Sequence, residues 1–97
     1  MNITCIIVDD EKLARDLLLE YLQQIPSIQI IGQCGKGKEA VEVIDKLKPD
    51  LVFLDVQMPG MTGFDVLDEI THDPYVIFVT AYDQYAIKAF EKNAVDY

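Results

Sequence analysis

Four short apolar runs, separated by segments with helical periodicity, constrain the fold of this chain more than any other feature. The runs are rich in Ile, Val and Phe and lack the strict polar-apolar alternation of a sheet with one solvated face. They therefore predict short strands that are buried on both sides, as in a parallel sheet. The predicted strands are residues 3–8, 28–31, 51–54 and 75–79.

Helical spacing of apolar residues fills the intervals between these runs. It extends over residues 13–25 and, more briefly, over residues 40–47. A short third helix is expected at about residues 64–70, and a fourth is expected to begin with Asp83 as its N-cap. Residues 95–97 would then begin a fifth strand. Strand and helix therefore alternate along the whole chain.

This alternation predicts an α/β fold with an open, doubly wound parallel sheet, because parallel strands need right-handed crossovers that place helices on both faces. For units this short we favour the flavodoxin-like strand order 2-1-3-4-5. The 97 residues suffice for one domain with one core, without a separate output domain. Because the sequence stops as the fifth strand begins, we expect residues 1–97 to be a C-terminally truncated domain, with the fifth strand and last helix incomplete or absent.

Charge and hydropathy exclude several classes of partner. The 17 acids and eight bases give a formal net charge of −9, which repels both nucleic acid and the anionic surface of a membrane. We therefore expect no nucleic-acid or membrane binding by this chain. Neither a membrane span nor the basic region of a secretory signal is visible, so a cytoplasmic location is expected. Cys5 and Cys34 lie in apolar surroundings without CxxC spacing and are predicted to be free, buried thiols.

Aspartates stand at the ends of two predicted strands. Asp9 and Asp10 follow the first strand, and Asp55 follows the apolar residues of the third. These strands are neighbours in the proposed order, so the three carboxylates should meet in the crevice at the carboxyl edge of the sheet. Like charges this close are unfavourable unless protons or a cation join them. Oxygen ligands favour Mg²⁺, which retains room for water and phosphate oxygens.

A carboxylate screened by such a metal can attack phosphorus in line and hold an acyl phosphate. The segment from Leu51 to Gly63, LVFLDVQMPGMTG, resembles the signature of the response regulator receiver domain of two-component signalling. The resemblance covers the whole chain. It implies that Asp55 accepts a phosphoryl group from a sensor histidine kinase, and that Asp9 and Asp10 bind Mg²⁺ together with Asp55. It implies a signalling domain rather than an enzyme.

Further roles follow from the same resemblance. The backbone carbonyl of Gln57 would be another metal ligand, Thr80 would be the switch threonine, and Tyr97 would be the switch aromatic. Residues 80–97 also resemble receivers joined to LytTR-type DNA-binding domains, which implies regulation of transcription through a domain absent here. The family places a lysine three positions beyond the aromatic, so its absence from this sequence implies weakened phosphorylation and switching.

Simpler interpretations exist for the same residues. Asp9 and Asp10 could cap the helix that begins near Glu11, and we expect Asp10 to contribute to capping. Thr80 could be an ordinary strand-end hydroxyl that bonds a turn. Tyr97 could be a packing residue. Asp55 is harder to explain in this way, because an acid without a partner at the mouth of a buried strand costs free energy.

Two other functions fit parts of the pattern. A magnesium phosphohydrolase would also use an aspartyl phosphate, but such enzymes typically have DxD at the nucleophile, and Gln57 stands where the second acid would be. An interaction module with a vestigial acidic pocket is the other alternative. An uncovered apolar edge of the sheet could pair with another chain, so we expect self-association.

Four local features have structural interpretations. Residues 35–39, GKGKE, lack the spacing of a phosphate-binding loop and predict a turn that opens the second helix. Pro59 and Gly60 suit the second and third positions of a type II turn. His72 lies in a polar stretch and is predicted to be a solvated loop residue. Met58 and Met61 are expected to pack on the loop after Asp55.

Overall fold

The computed structural model describes residues 2–79, and these residues form four strands and three helices in alternation. Thr80, Tyr97, the predicted helix at Asp83 and the predicted fifth strand lie outside the described residues. The elements are β1 (Ile3–Val8), α1 (Lys12–Leu22), β2 (Ile28–Cys34), α2 (Gly37–Leu47), β3 (Leu51–Asp55), α3 (Gly63–Glu69) and β4 (Tyr75–Val79).

All four strands are parallel and lie in the order β2-β1-β3-β4. This confirms the flavodoxin-like arrangement over the described strands. Val8 at the end of β1 is paired with Cys34 of β2 and with Leu54 of β3. The residues that follow β1, β2 and β3 therefore emerge side by side at one edge of the sheet, which is called the carboxyl edge below.

Strand β1 is the centre of the core. Its last four residues, Cys5 to Val8, are at most 1% exposed, as predicted for a strand covered on both faces. Ile6 and Val8 pack on the α2 and α3 side, whereas Cys5 and Ile7 pack on the α1 side with Leu22. Cys5 and Cys34 are buried free thiols, as predicted. No helix within residues 2–79 is long and apolar enough to cross a bilayer.

Several predicted boundaries differ from the structure, and two of these differences have a clear physical cause. Strand β2 continues through residues 32–34 because Ile6 to Val8 supply backbone partners for them, although glycine and glutamine have low strand propensity. Helix α1 ends at Leu22, before the predicted limit at residue 25. Ile25 precedes Pro26, and a residue before proline is disfavoured in the helical conformation.

At the opposite edge of the sheet, called the amino edge below, aspartates accept hydrogen bonds that connect neighbouring segments of the chain. Asp50, just before β3, accepts bonds from the backbone N–H and the hydroxyl of Thr4, both at 3.0 Å. Asp45 of α2 accepts bonds from the backbone N–H groups of Thr71 and His72, at 2.9 and 3.0 Å. These bonds tie β1 to β3 and α2 to the segment before β4.

His72 is not the solvated loop residue that the sequence suggests. Its side chain is half-buried, and its Nε2 lies 2.6 Å from the backbone oxygen of Pro49, to which the protonated nitrogen can donate. The polar residues around it in sequence conceal this contact, because the partner belongs to a segment more than 20 residues away. The difference shows that polar composition alone does not place a side chain in solvent.

Candidate functional site

Asp9 directly follows the buried end of β1, and three hydrogen bonds fix it. Its backbone N–H donates to the Cys34 oxygen at 3.0 Å, and its Oδ1 accepts from the N–H of Glu11 at 2.9 Å. Its backbone oxygen accepts from Nη1 of Arg15 at 2.6 Å. The expectation that Asp10 helps to cap α1 is wrong: the N-cap is Glu11, whose side chain makes no capping bond, and the carboxylate that bonds there is that of Asp9, which accepts from the N–H of Glu11 itself.

Asp55 is the last residue of β3 and is half-buried. Its Oδ1 accepts a hydrogen bond of 3.3 Å from the backbone N–H of Gln57. The following loop returns to this point, since the N–H of Gly63 donates to the oxygen of Val56 at 2.9 Å. A Cβ atom on Gly63 would lie 2.5 Å from the backbone oxygen of Asp55. Glycine at position 63 therefore permits α3 to begin directly against the end of β3.

The loop between these residues contains the predicted turn. Gly60 has a φ of 78°, the value that the third position of a type II turn requires. Thr62 then begins α3 with a capping box, because its hydroxyl accepts from the N–H of Asp65 while the Asp65 carboxylate accepts from the N–H of Thr62. Met58 is buried in the core, and Met61 packs against it. The loop is thus fixed at both of its ends.

The fold brings the carboxylates of Asp9, Asp10 and Asp55 together, with one oxygen of each within 4.8 Å of the others. Burial, followed by the negative charge of Asp9, raises the pKa of Asp55 to about 6, against the opposing effect of the Gln57 N–H. Burial also raises the pKa of Asp9, and the N–H of Glu11 opposes that shift. Two acids of the cluster therefore resist ionisation when no cation is present.

These residues fit a magnesium ion by chemistry and by distance. Carboxylate oxygens are the hard ligands that Mg²⁺ prefers. Two oxygens on one Mg²⁺ lie at most about 4.2 Å apart, twice the usual metal-oxygen distance. The carboxylate oxygens lie within 4.8 Å of one another, about 0.6 Å beyond this limit. A small rotation of the side chains would close the difference. A divalent cation would also offset the repulsion from Asp9, which adds to the effect of burial in raising the pKa of Asp55.

A groove of about 780 Å³ opens beside Asp10 and runs between the start of α2 and the loop that follows Asp55. Residues 35–36 turn the chain and α2 begins at Gly37, so the turn predicted for residues 35–39 is present but shorter, because residues 37–39 already belong to the helix. Lys36 and Lys38 line the groove. Met61 lies directly over Gly37, where a Cβ atom would come within 2.8 Å of its sulfur. Asp65, Asp68 and Glu69 also line the groove, so its charge is mixed, and Asp10 is the one residue of the acidic cluster that borders it.

Arg15 is the residue at this site that sequence reasoning missed. It lies on α1, and its guanidinium reaches back to the residue that follows β1. In the sequence, its position within a predicted helix of an acidic chain is that of an ordinary exposed cation. The one available signal is that it is the only arginine in the sequence, and composition does not indicate where a side chain points. Thr80 and Tyr97 lie outside the described residues.

The comparisons with known proteins agree with one another. The family model for the response regulator receiver domain matches residues 5–97. The chain is 46% identical to the transcriptional regulatory protein BtsR of Escherichia coli in an alignment of 97 positions that covers 98% of this chain and 41% of BtsR. It is 50% identical, over the same shares, to an uncharacterised response regulatory protein of Shewanella oneidensis. The chain thus spans about two fifths of the length of these curated relatives.

Solved structures give the same result. The response regulator domain of Thermotoga maritima CheB superimposes with a TM-score of 0.88 and 31% identity, over 99% of this chain and 76% of that one. The response regulatory domain of mrkE from Klebsiella pneumoniae has a TM-score of 0.87 and 31% identity, over 97% of this chain and 80% of that one.

Proposed function

The chain belongs to the response regulator receiver domain family, and from this membership we propose that it is a phosphoacceptor switch. In this proposal Asp55 takes a phosphoryl group from a sensor histidine kinase with Mg²⁺ as cofactor. The observation that carries the proposal is the convergence of Asp9, Asp10 and Asp55 at the carboxyl edge, with the pKa of Asp55 raised to about 6. Such a cluster is unfavourable without a cation and is suited to receive one.

The phosphoryl transfer proceeds as follows. A carboxylate oxygen of Asp55 attacks phosphorus, the bond from phosphorus to the histidine nitrogen breaks, and the nitrogen retains the electron pair. The N–H of Gln57 holds Oδ1 of Asp55 and thereby limits rotation of the attacking carboxylate. Bound Mg²⁺, held by Asp9, Asp10, Asp55 and the backbone carbonyl of Gln57, would supply the positive charge that offsets the anionic nucleophile and phosphoryl group.

Several finer features belong to the same proposal. Thr80 acts as the switch threonine and Tyr97 as the switch aromatic. The protein regulates transcription through a LytTR-type DNA-binding domain outside these residues; the resemblance of residues 80–97 and the transcriptional regulators among the relatives support this. The chain itself works in the cytoplasm and binds no nucleic acid, in keeping with its net charge of −9. It has no turnover of small-molecule phosphate esters.

The test is intact-mass spectrometry of the chain after incubation with acetyl phosphate and Mg²⁺. We expect a mass increase of one phosphoryl group, with release of acetate, and no increase without metal. Asp55→Asn should remain unlabelled. Asp50→Asn is the matched control, because it makes the same substitution at the amino edge, and it should be labelled like the parent chain. Equal labelling of Asp55→Asn would overturn the proposal, and so would failure to gain the group by both the parent chain and a chain extended through the fifth strand and last helix.

Self-association is a separate part of the proposal. Tyr75 and Val79 of β4 are 69% and 41% exposed, so β4 presents apolar side chains that another chain could cover. Light scattering over a range of protein concentrations should give a mass that rises above that of the monomer. A monomeric mass at the highest concentration would contradict this part and leave the phosphoacceptor role intact.

A further inference from the structure

The only arginine of the chain is bound to the backbone of the acidic site. Nη1 of Arg15 donates a hydrogen bond of 2.6 Å to the backbone oxygen of Asp9, and the side chain is partly buried. A hydrogen bond from a charged donor is shorter and about twice as strong as one between neutral groups. Arg15 therefore restrains the turn between β1 and α1 more firmly than a neutral side chain would.

Gly35 provides the space that this contact needs. A Cβ atom at position 35 would lie 3.2 Å from Nη1 of Arg15 and 3.9 Å from the oxygen of Asp9. Among the described residues the only glycine with a positive φ is Gly60, so backbone conformation does not explain glycine at position 35. Space for the guanidinium does. The side chain of Arg15 thus occupies the interval between the loop after β1 and the loop after β2.

Asp9 carries two functions that depend on its backbone. It presents its own carboxylate to the cluster, and the chain direction it sets determines where the exposed carboxylate of Asp10 lies. Its N–H is fixed by Cys34 and its carboxylate by Glu11, but its backbone oxygen is fixed by Arg15. Without Arg15 the peptide unit between Asp9 and Asp10 would lose the hydrogen bond to its oxygen, and the two carboxylates would be held less firmly in their common orientation.

We propose that Arg15 is a positioning residue for the metal site, which holds the Asp9 backbone so that the carboxylates of Asp9 and Asp10 face Asp55, and that Gly35 admits its guanidinium. This inference rests on the proposed function. In this proposal Arg15 supplies no ligand to the metal and takes no part in the phosphoryl transfer. It acts through Asp9.

Whether replacing Arg15 weakens or tightens Mg²⁺ binding distinguishes a positioning role from the effect of its charge alone. A guanidinium near the cluster repels a divalent cation, so removing only its charge would tighten Mg²⁺ binding. Removing a positioning hydrogen bond would weaken it, because groups that orient metal ligands typically contribute about 10-fold to 100-fold in affinity. The two effects oppose each other, and Arg15→Met removes both. Net weakening would show that orientation outweighs repulsion.

The experiment is a Mg²⁺ titration of the full chain, followed by the backbone amide resonances of the site. We expect Arg15→Met to bind Mg²⁺ about 5-fold to 10-fold more weakly than the parent chain. Arg15→Lys keeps the charge and a hydrogen-bond donor, so its Mg²⁺ affinity should lie between those of Arg15→Met and the parent chain. Gly35→Ala should weaken binding less than Arg15→Met does, because its Cβ atom, 3.2 Å from Nη1, crowds the guanidinium without removing it.

Lys12→Met is the matched control. Lys12 lies on the same helix and pairs with Asp16 at 3.0 Å on the exposed surface, without a contact to Asp9. Its removal deletes one positive charge near the loop, so binding should stay equal or become tighter. Denaturant unfolding of each variant shows that it is folded under the titration conditions.

Labelling with acetyl phosphate gives a second readout. The Mg²⁺ concentration for half-maximal labelling should rise in Arg15→Met, while the rate at saturating Mg²⁺ stays within about 2-fold, because positioning affects metal binding and not the attack itself. Unchanged or tighter Mg²⁺ binding by a folded Arg15→Met would overturn the inference and leave the proposed function standing. A parent chain that binds no Mg²⁺ would overturn both.

Discussion

The two edges of the sheet use the same residue type in opposite ways. At the carboxyl edge, Asp9 and Asp55 lie close to one another and to Asp10, and the pKa values of both are raised, mainly by burial. At the amino edge, Asp45 and Asp50 accept hydrogen bonds from neighbouring segments, and their pKa values are lowered, mainly by those bonds. Aspartates at one edge oppose folding when ionised, whereas those at the other favour it.

This difference separates function from stability within one small domain. Asp45 and Asp50 accept hydrogen bonds singly and belong to no cluster of carboxylates among the described residues, so the amino edge serves to stabilise the fold. Carboxylates crowded together without enough donors cost stability, and the cost is recovered when a cation binds. The contrast predicts that substitutions at the two edges have opposite effects on stability, on its pH dependence and on phosphorylation.

The largest effect on stability is expected from Gly63→Ala. The added methyl would lie 2.5 Å from the backbone oxygen of Asp55, so either β3 or the start of α3 must move. Overpacking of this kind costs about 1–3 kcal/mol. Urea unfolding should show the loss, and Mg²⁺ affinity should fall as Asp55 shifts. An unchanged unfolding midpoint would show that the junction is less rigid than its contacts indicate.

Asp55→Asn should instead stabilise the metal-free protein. The folded pKa of about 6 lies above the unfolded value, so the native state binds the extra proton. The destabilising contribution is therefore absent below about pH 4 and complete above about pH 6. Two pK units correspond to roughly 3 kcal/mol, and solvent screening of a half-exposed group reduces this to about 1–2 kcal/mol.

Unfolding of Asp55→Asn and the parent chain should be compared at pH 8 and at pH 4, without metal and with saturating Mg²⁺. The stabilisation should be present at pH 8 and vanish at pH 4. Mg²⁺ should narrow the difference at pH 8, because it binds and stabilises the parent chain more than the variant. Equal stability of the two proteins at pH 8 without metal would contradict the account of the acidic cluster.

Asp50→Asn and Asp45→Asn should change the stability in the opposite direction, by lowering it, and by a smaller amount. Their folded pKa values are lowered, so they contribute stability that is present above about pH 4 and is lost as the pH falls through the folded pKa. Each variant should unfold at lower denaturant than the parent at pH 7 and converge with it on acidification. A variant more stable than the parent at pH 7 would remove the contrast between the edges.

The smallest effect concerns the backbone of the amino edge. Lys48 ends α2 in the left-handed conformation, with a φ of 49°, and is the only residue other than glycine with a positive φ among residues 2–79. Glycine at this position relieves strain of about 1–2 kcal/mol but loses about 0.5–1 kcal/mol to chain entropy. Lys48→Gly should thus gain about 0.5 kcal/mol in thermal unfolding without altering Mg²⁺ affinity. Lys46→Gly, inside α2, is the control and should be destabilising.

Much of the carboxyl edge was predictable because it follows from strand ends. Asp9, Asp10 and Asp55 directly follow apolar runs, and the parallel arrangement dictates that such positions share an edge. The convergence of the three carboxylates could thus be deduced from one-dimensional spacing. Their assignment as ligands and acceptor still rests on the family resemblance and on the experiments proposed above.

The contacts that were missed all depend on side-chain direction or distant partners. Arg15 reaches back six positions to a backbone oxygen, and no propensity scale reports such a bond. His72 finds its partner in the segment before β3. The capping bond falls to Asp9 rather than Asp10 because the chain turns at the end of β1 in a way that spacing does not determine. Sequence pattern placed the elements, but not the hydrogen bonds between them.

The central position of β1 has a consequence for hydrogen exchange. It is bonded to β2 and β3 on its two sides, and its last four residues are at most 1% exposed. The amides of such a strand exchange only when the whole molecule opens. Asp9 follows directly from this slowest-exchanging segment, so its N–H, bonded to Cys34, should be protected almost as long as those of β1. A cation bound there would then slow exchange throughout the sheet, and not merely in the loop that holds it.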